Sequence, residues 1–287
     1  MWNQIATHIS QVTGQSVAVT QPRSVSGGCI NQGYQLGGSD RSYFVKLNQA
    51  SQIAMFEAEA AGLQQMQATQ TIRVPTPICW GTAGNNSYLV LEWLELGRGN
   101  SHAWAELGRK LAAMHQTTSL SGFGWERQNT IGSTPQINLW TMDWGTFWQE
   151  HRIGYQLKLA NRRGGHFPQA HHLLAAIPEL LAAHQPEPSL VHGDLWSGNA
   201  AIAVSGEPVI FDPATYYGDR EVDLAMTELF GGFPAEFYQG YHQAFPLNAG
   251  YPQRQVLYNL YHILNHFNLF GGGYAAQANR MIDTLLI

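Results

Sequence analysis

Cysteine is nearly absent. Only Cys29 and Cys79 occur among 287 residues, too few to staple a chain of this size, so a reducing compartment is expected. Charge is sparse as well: Asp, Glu, Lys and Arg make up 12% of the chain against 44% hydrophobic residues, with a net charge of −5 and a pI near 6.2. With no basic excess to attract a phosphodiester backbone, nucleic acid is excluded as the expected partner. No apolar run reaches the roughly 18–20 residues that a membrane-spanning helix needs. The opening Met1-Trp2-Asn3-Gln4 has neither the basic start nor the apolar stretch of a secretion signal. A cytoplasmic protein without a membrane partner is the expectation. Repeats and low-complexity segments are missing, and so is Gly-x-x-x-x-Gly-Lys-Ser/Thr, which argues against a Walker-type nucleotide loop. Hydrophobic mass is abundant, including nine Trp and twelve Tyr, enough for one large core or two lobes.

Periodicity divides the chain. It predicts a helix over residues 2–13, short strands at 17–22, 34–36 and 42–47, and a helix over 52–70. That helix carries Ile53, Phe56, Ala60, Leu63 and Met66 on one face. Strands follow at 78–81 and 88–92. Beyond residue 97 the pattern turns helical, over 102–117, 143–162, 167–184, 220–230, 234–244, 253–270 and 274–286. Short strands at 190–191, 200–204 and 208–211 interrupt it. The expected architecture is α+β with two lobes: a small β-rich lobe with a helix pair over residues 1–93, and a larger, mostly helical lobe over 94–287. The hinge is expected at 93–97.

The chemistry concentrates in His192-Gly193-Asp194-Leu195-Trp196-Ser197-Gly198-Asn199, followed by an apolar run ending in Phe211-Asp212. An Asp five positions before an Asn, with a second Asp beyond, suits phosphoryl transfer. Asp194 would accept the proton of the attacking hydroxyl, while Asn199 and Asp212 would hold Mg²⁺ on the phosphates of ATP. Read blandly, the same residues are two surface turns. Support comes from Tyr43-Phe44-Val45-Lys46, an apolar strand ending in a lysine thirteen positions before Glu59. Lys46 could reach the α- and β-phosphates if a helix carboxylate held it, a role for which Glu57 competes with Glu59. Ser26-Gly27-Gly28 is the candidate phosphate-covering loop, since adjacent glycines let backbone N–H groups approach phosphate. Cys29 borders it, either as a small turn residue or as a thiol whose oxidation impairs nucleotide binding. Histidines outside this stretch, including His171, His172, His262 and His266, suggest no metal-ligand set.

Ser26-Gly27-Gly28-Cys29-Ile30-Asn31, Phe44-Val45-Lys46, Ile131-Gly132-Ser133-Thr134-Pro135-Gln136, residues 192–199 and Tyr217-Gly218-Asp219-Arg220-Glu221 together resemble the fructosamine (ketosamine) kinase family. That family belongs to the aminoglycoside-phosphotransferase-like, protein-kinase-like superfamily. The resemblance spans nearly the whole chain in motif order. It departs at Asp219, where many members carry His. The resemblance implies ATP-dependent phosphorylation of the third sugar carbon of a ketosamine, after which the adduct is labile and the amine is released. The substrate would be a small ketosamine or a glycated side chain on a protein. The resemblance also implies that backbone atoms near Glu92 and Leu94 bind adenine and that His192 and Asp223 brace the catalytic loop. For Trp196 it favours contact with the sugar over the alternative of filling the lobe wall. An aminoglycoside, choline or thiosugar kinase is the nearest rival reading. An inert nucleotide-binding module is the rival from another class.

Overall fold

The computed structural model describes residues 1–17, 21–25, 30–37 and 41–287. The chain opens with helix α1 (Trp2–Thr13), followed by strands β1 (Arg23–Val25), β2 (Gln32–Gly37) and β3 (Ser42–Gln49). Helix α2 (Ile53–Ala68) and strands β4 (Pro77–Ala83) and β5 (Asn86–Glu92) complete this part. The five strands form an antiparallel sheet in the order β1-β2-β3-β5-β4. The strand expected at 17–22 is not formed at the described positions of that range; pairing starts one residue after Pro22, whose nitrogen has no hydrogen to give a ladder.

Period-two alternation decides what faces the cleft. Tyr43, Val45 and Leu47 pack with Ile5 and Ile9 of α1 on one side of the sheet. Phe44 and Lys46 therefore point to the other side, where α2 lies. The sheet's inner face is not a separate core. Phe56, Leu63 and Met66 of α2 and Leu89 and Leu91 of β5 share one apolar cluster with Leu107, Leu111, Leu190, Leu195 and Ile210 of the following part.

That part starts with α3 (Ser101–His115) and the hairpin of β6 (Asn129–Ile131) and β7 (Thr134–Gln136). Next come α4 (Trp144–Phe147), a π-helical segment Trp148–Gly154, α5 (Tyr155–Arg162) and α6 (Ala170–Leu181). The expected continuous helix over 143–162 is thus widened in its middle, where the buried Arg152 guanidinium lies between the rings of Phe147 and Tyr216, 4.5 and 4.0 Å from their centroids. Residues 167–169 stay outside α6 because Phe167 precedes Pro168 and is disfavoured in helical geometry.

Strands β8 (Ser189–Val191), β9 (Ala200–Ile202), β10 (Pro208–Ile210) and β11 (Tyr216–Gly218) follow, pairing β9 with β10 and β8 with β11. Helices α7 (Glu221–Leu229), α8 (Ala235–Ala244), α9 (Tyr251–Phe270) and α10 (Tyr274–Leu285) close the chain. Strands β6, β7 and β11, each three residues long, are not among the strands expected from the sequence. The linker after β5 is anchored: Gly97 N–H donates to Ile202 O (2.8 Å) and Val204 N–H to Glu95 O (2.8 Å). The fold is a two-lobed α+β arrangement of the kinase-like kind, with the cleft between sheet and helices.

Candidate active site

Two β-hairpin-like pairs build the floor of the cleft. Strand β8 runs into residues 192–194, and β10 runs into Phe211-Asp212. The two segments are laced together: Phe211 N–H donates to Asn199 O (3.0 Å) and Ala214 N–H to His192 O (2.9 Å). Gly193 stands at φ +83°, and a Cβ there would fall 2.2 Å from Ala214 O, so only glycine allows this turn. Asp212 is one of two non-glycine residues with positive φ (58°) among the described residues, a conformation that Asp tolerates better than most and that often marks a functional position.

His192 joins the two segments. An N–H can only donate, so the 3.2 Å contact from Asp194 N makes His192 Nδ1 an acceptor and leaves Nε2–H to donate to Phe211 O at 2.9 Å. Burial pushes the His192 pKa down despite the opposing charge of Asp223, consistent with this neutral tautomer. Asp223, fully buried on α7, accepts the N–H groups of His192 (2.7 Å) and Gly193 (2.8 Å) and contacts His115 Nε2 (3.1 Å). Burial alone would raise the Asp223 pKa; His115, His192 and the Gly193 N–H outweigh it and hold it below the ordinary carboxylate range. His115, on α3, was not singled out in the sequence, where a lone histidine on a helix carries no signal.

Lys46, Glu59, Asp194, Trp196, Asn199 and Asp212 line one cavity of about 390 Å³. Lys46 Nζ lies 2.6 Å from Glu59 Oε1 and 2.5 Å from Asp212 Oδ1. Burial would lower the lysine's pKa, but the two carboxylates more than offset it and raise it. Glu59 moves up, because burial and Asp212 together outweigh the stabilising charge of Lys46. Glu57, its competitor in the sequence, is exposed. Asn199 Nδ2 donates to Asp194 O (2.8 Å), with Asp194 Oδ2 and Asp212 O further off at 3.3 and 3.5 Å. Burial, then the like charges of Asp212 and Asp223, push the Asp194 pKa up to about 7 against the Asn199 hydrogen bond. A carboxyl poised there can take or hold a proton near neutrality.

Other expectations find different places. Trp196 is 39% exposed at the cavity wall with its ring over Gly198. Glu92 and Leu94 do not line the cavity; Glu92 N–H donates to Thr76 O (2.9 Å), and its carboxylate pairs with Arg73. Ser26, Gly27, Gly28 and Cys29 lie outside the described residues. The far wall comes from Asn129 to Gly132 of the β6–β7 hairpin and from Phe230, His266, Phe270 and Tyr274. None of these residues is expected at the site from the sequence; the hairpin contains the Ile131–Gln136 motif, which carries the family resemblance without a chemical signal of its own.

Asp219 is away from the cavity. It is buried, accepts from Tyr258 OH (2.5 Å) and lies 2.7 Å from His184 Nε2. With Glu221 these residues gather three buried metal-ligand types, a grouping the sequence had not suggested. Both Glu221 oxygens are already engaged by Arg254, at 2.6 and 2.8 Å, and Asp219 Oδ1 accepts the Glu221 N–H. The cluster is internally paired and structural.

A lysine bridging a helix carboxylate and a loop carboxylate at the base of an inter-lobe cleft defines a kinase-like phosphotransferase. Comparison with known proteins narrows the class. A model of the fructosamine kinase family matches residues 1–287. A probable ketoamine kinase of Synechocystis sp. PCC 6803 is 62% identical over 99% of this chain and 97% of its own length. The chloroplastic protein-ribulosamine 3-kinase of Arabidopsis thaliana is 48% identical over 95% of this chain and 85% of its own. The crystal structure of a candidate fructosamine-3-kinase from Haemophilus somnus 129PT superposes with a TM-score of 0.94 at 30% identity, covering 100% of this chain and 98% of that one. At 17% identity and a TM-score of 0.63, over 98% of both chains, the aminoglycoside phosphotransferase APH(4)-Ia shares the fold alone. The chain belongs to the fructosamine kinase family.

Proposed function

We propose the following division of labour for this chain, an ATP-dependent kinase of ketosamines. Nucleotide lies between a lobe of residues 1–93 and one of residues 94–287, with Ser26-Gly27-Gly28 covering its phosphates. Lys46 orients the α- and β-phosphates and Glu59 holds Lys46. Backbone atoms near Glu92 and Leu94, at the edge of the cleft outside the cavity lining, read adenine, the Glu92 N–H excepted because it is already given to Thr76 O. The donor set at the cavity floor is hard oxygen, from the Asp212 carboxylate and the Asn199 amide, and suits magnesium. Magnesium bound there would neutralise charge on the transferred phosphate.

Asp194 accepts the proton of the sugar hydroxyl as oxygen attacks phosphorus, and its position beside Asn199 keeps it facing that hydroxyl. His192 and Asp223 fix the loop that carries it. Trp196 packs on the C–H face of the sugar. The acceptor is the hydroxyl on the third carbon of an Amadori product, free or carried on a protein side chain, and the outcome is deglycation in the cytoplasm. The observation that carries this reading is the convergence of Lys46, Glu59, Asp194, Asn199 and Asp212 on one cavity.

The test is to incubate the protein with Mg-ATP and a panel of ketosamines, aminoglycosides and choline, locating new phosphate by phosphorus NMR. Phosphate on the third sugar carbon, followed by release of the amine, is expected. Turnover with only choline or an aminoglycoside, or with nothing in the panel, would overturn the assignment.

A further inference from the structure

Helix α2 carries Glu59, so the Lys46–Glu59 pair exists only while α2 sits in one place. In kinase-like folds the position of this helix is the element that assembles or breaks the pair. Here α2 is held from its other side. Ala58, Gly62 and Gln65, spaced four and three residues apart, lie along one face of the helix. That face is distinct from the one carrying Phe56, Leu63 and Met66 against the sheet. Ala58 belongs to the apolar cluster of the helical lobe, which also contains Trp125, Ala214 and Tyr216. Gly62 approaches the segment just beyond Asp212 so closely that a Cβ would fall 2.6 Å from Thr215 Oγ1.

Gln65 completes the contact with both ends of its amide. Its Oε1 accepts Trp125 Nε1–H at 2.6 Å, and its Nε2 donates to Tyr217 OH at 2.8 Å. These two partners form one rigid platform, because Gly124 and Tyr217 exchange backbone hydrogen bonds of 3.0 and 2.8 Å. Tyr217 is also opposite Leu190 in the β11–β8 pair, and β8 leads directly into His192 and Asp194. One amide thus ties the helix bearing Glu59 to the strand that delivers Asp194.

We infer that Gln65 is a positioning residue for phosphoryl transfer: it locks α2 onto the helical lobe and so keeps the Lys46–Glu59 pair assembled before nucleotide enters. The inference rests on the kinase reading of the cavity. A glutamine is suited to the task because it is neutral and can donate to one partner while accepting from the other. Leucine of similar size would keep the packing and lose both directional bonds. Glutamate would keep both, since a carboxylate can accept from the Trp125 N–H and from the Tyr217 O–H.

The experiment compares wild type, Gln65→Leu and Gln65→Glu in the full chain, each alone and combined with Glu59→Gln. In Gln65→Leu, kcat should fall about ten- to a hundredfold, the scale of a misplaced catalytic group, with KM for the ketosamine unchanged. Gln65→Glu should restore kcat to within about threefold of wild type. In the Glu59→Gln background the leucine change should have little further effect, because the group it positions is already gone. Hydrogen exchange supplies a readout that needs no turnover: amides of residues 53–68 should exchange faster in Gln65→Leu and not in Gln65→Glu. Wild-type exchange and kcat in the leucine variant, or an effect that multiplies fully with Glu59→Gln, would overturn the inference. A wild-type protein that phosphorylates no ketosamine overturns the functional reading instead, and the exchange experiment still decides whether Gln65 locks α2.

Discussion

Replacing Asp223 by Asn removes a charge while keeping shape, and the structure sets the expected cost. The carboxylate accepts two backbone N–H groups, of His192 and Gly193, and contacts His115 Nε2, all in a site with no solvent exposure. An asparagine has one oxygen, so one of the two N–H groups loses its acceptor and meets an N–H₂ group instead. Hydrogen bonds to a charged group contribute about 1.5–3 kcal/mol each, and an abandoned buried donor costs about 1–3 kcal/mol. The sum, allowing one bond to survive in weakened form, is about 3–5 kcal/mol. For a chain of this size about 2–4 °C of Tm accompanies each kcal/mol, so calorimetry should show a drop of about 6–20 °C at pH 7. The difference should also depend on pH. The folded Asp223 pKa lies below its unfolded value, so its stabilisation is complete above about pH 4 and lost as pH falls through the folded value. The gap between wild type and Asp223→Asn should therefore narrow below about pH 4. A Tm within about 2 °C of wild type at pH 7, with kcat unaltered, would refute the idea that this carboxylate holds the catalytic loop.

Asp194→Asn should bind ATP nearly as wild type does while turnover falls roughly 10²–10⁴-fold, the range for a lost general base; titration calorimetry and steady-state rates check the two halves. Lys46→Ala should raise KM for ATP and lower kcat together, and should also destabilise the fold, because Glu59 and Asp212 lose the cation between them. His262 is buried on α9, and its Nδ1 has no hydrogen-bond partner among the described residues. Burial, then His266 and Arg152, depress its pKa to about 3 against the pull of Asp223. The unfolded chain protonates this residue near pH 6.5, so its stability contribution is full above that pH and should shrink by up to about 1.4 kcal/mol per unit of acidification. Chemical denaturation from pH 7 to 5 should show stability falling on acidification, and His262→Gln should make that slope shallower without abolishing it, since the buried His192 contributes in the same direction.

The amino-acid sequence alone determined the parts whose signal is local. Alternation in residues 43–47 sends Lys46 to one face of a strand and Tyr43, Val45 and Leu47 to the other. Spacing of apolar residues locates nearly all the helices, and the Asp-x₄-Asn pattern places Asp194 and Asn199 in one turn, while pairing of β9 with β10 brings Asp212 beside them. Which of Glu57 and Glu59 meets Lys46 was open in the sequence. It was decided by the rotation of α2, which turns Glu57 outward and Glu59 under the sheet.

Tertiary structure alone decided the long-range groupings. His115 and Asp223 are 108 positions apart, Gln65 and Tyr217 152, and no local period connects them. The aromatic wall of the cavity comes from α9 and its surroundings, where Phe270 and Tyr274 look in sequence like ordinary core residues. Three-residue strands such as β11 form only because a partner strand already stands beside them. Local sequence chooses which atoms each segment presents, and packing of distant segments chooses which of those atoms meet. The shift of Asp194 toward neutrality is of the second kind, since burial and two other carboxylates produce it.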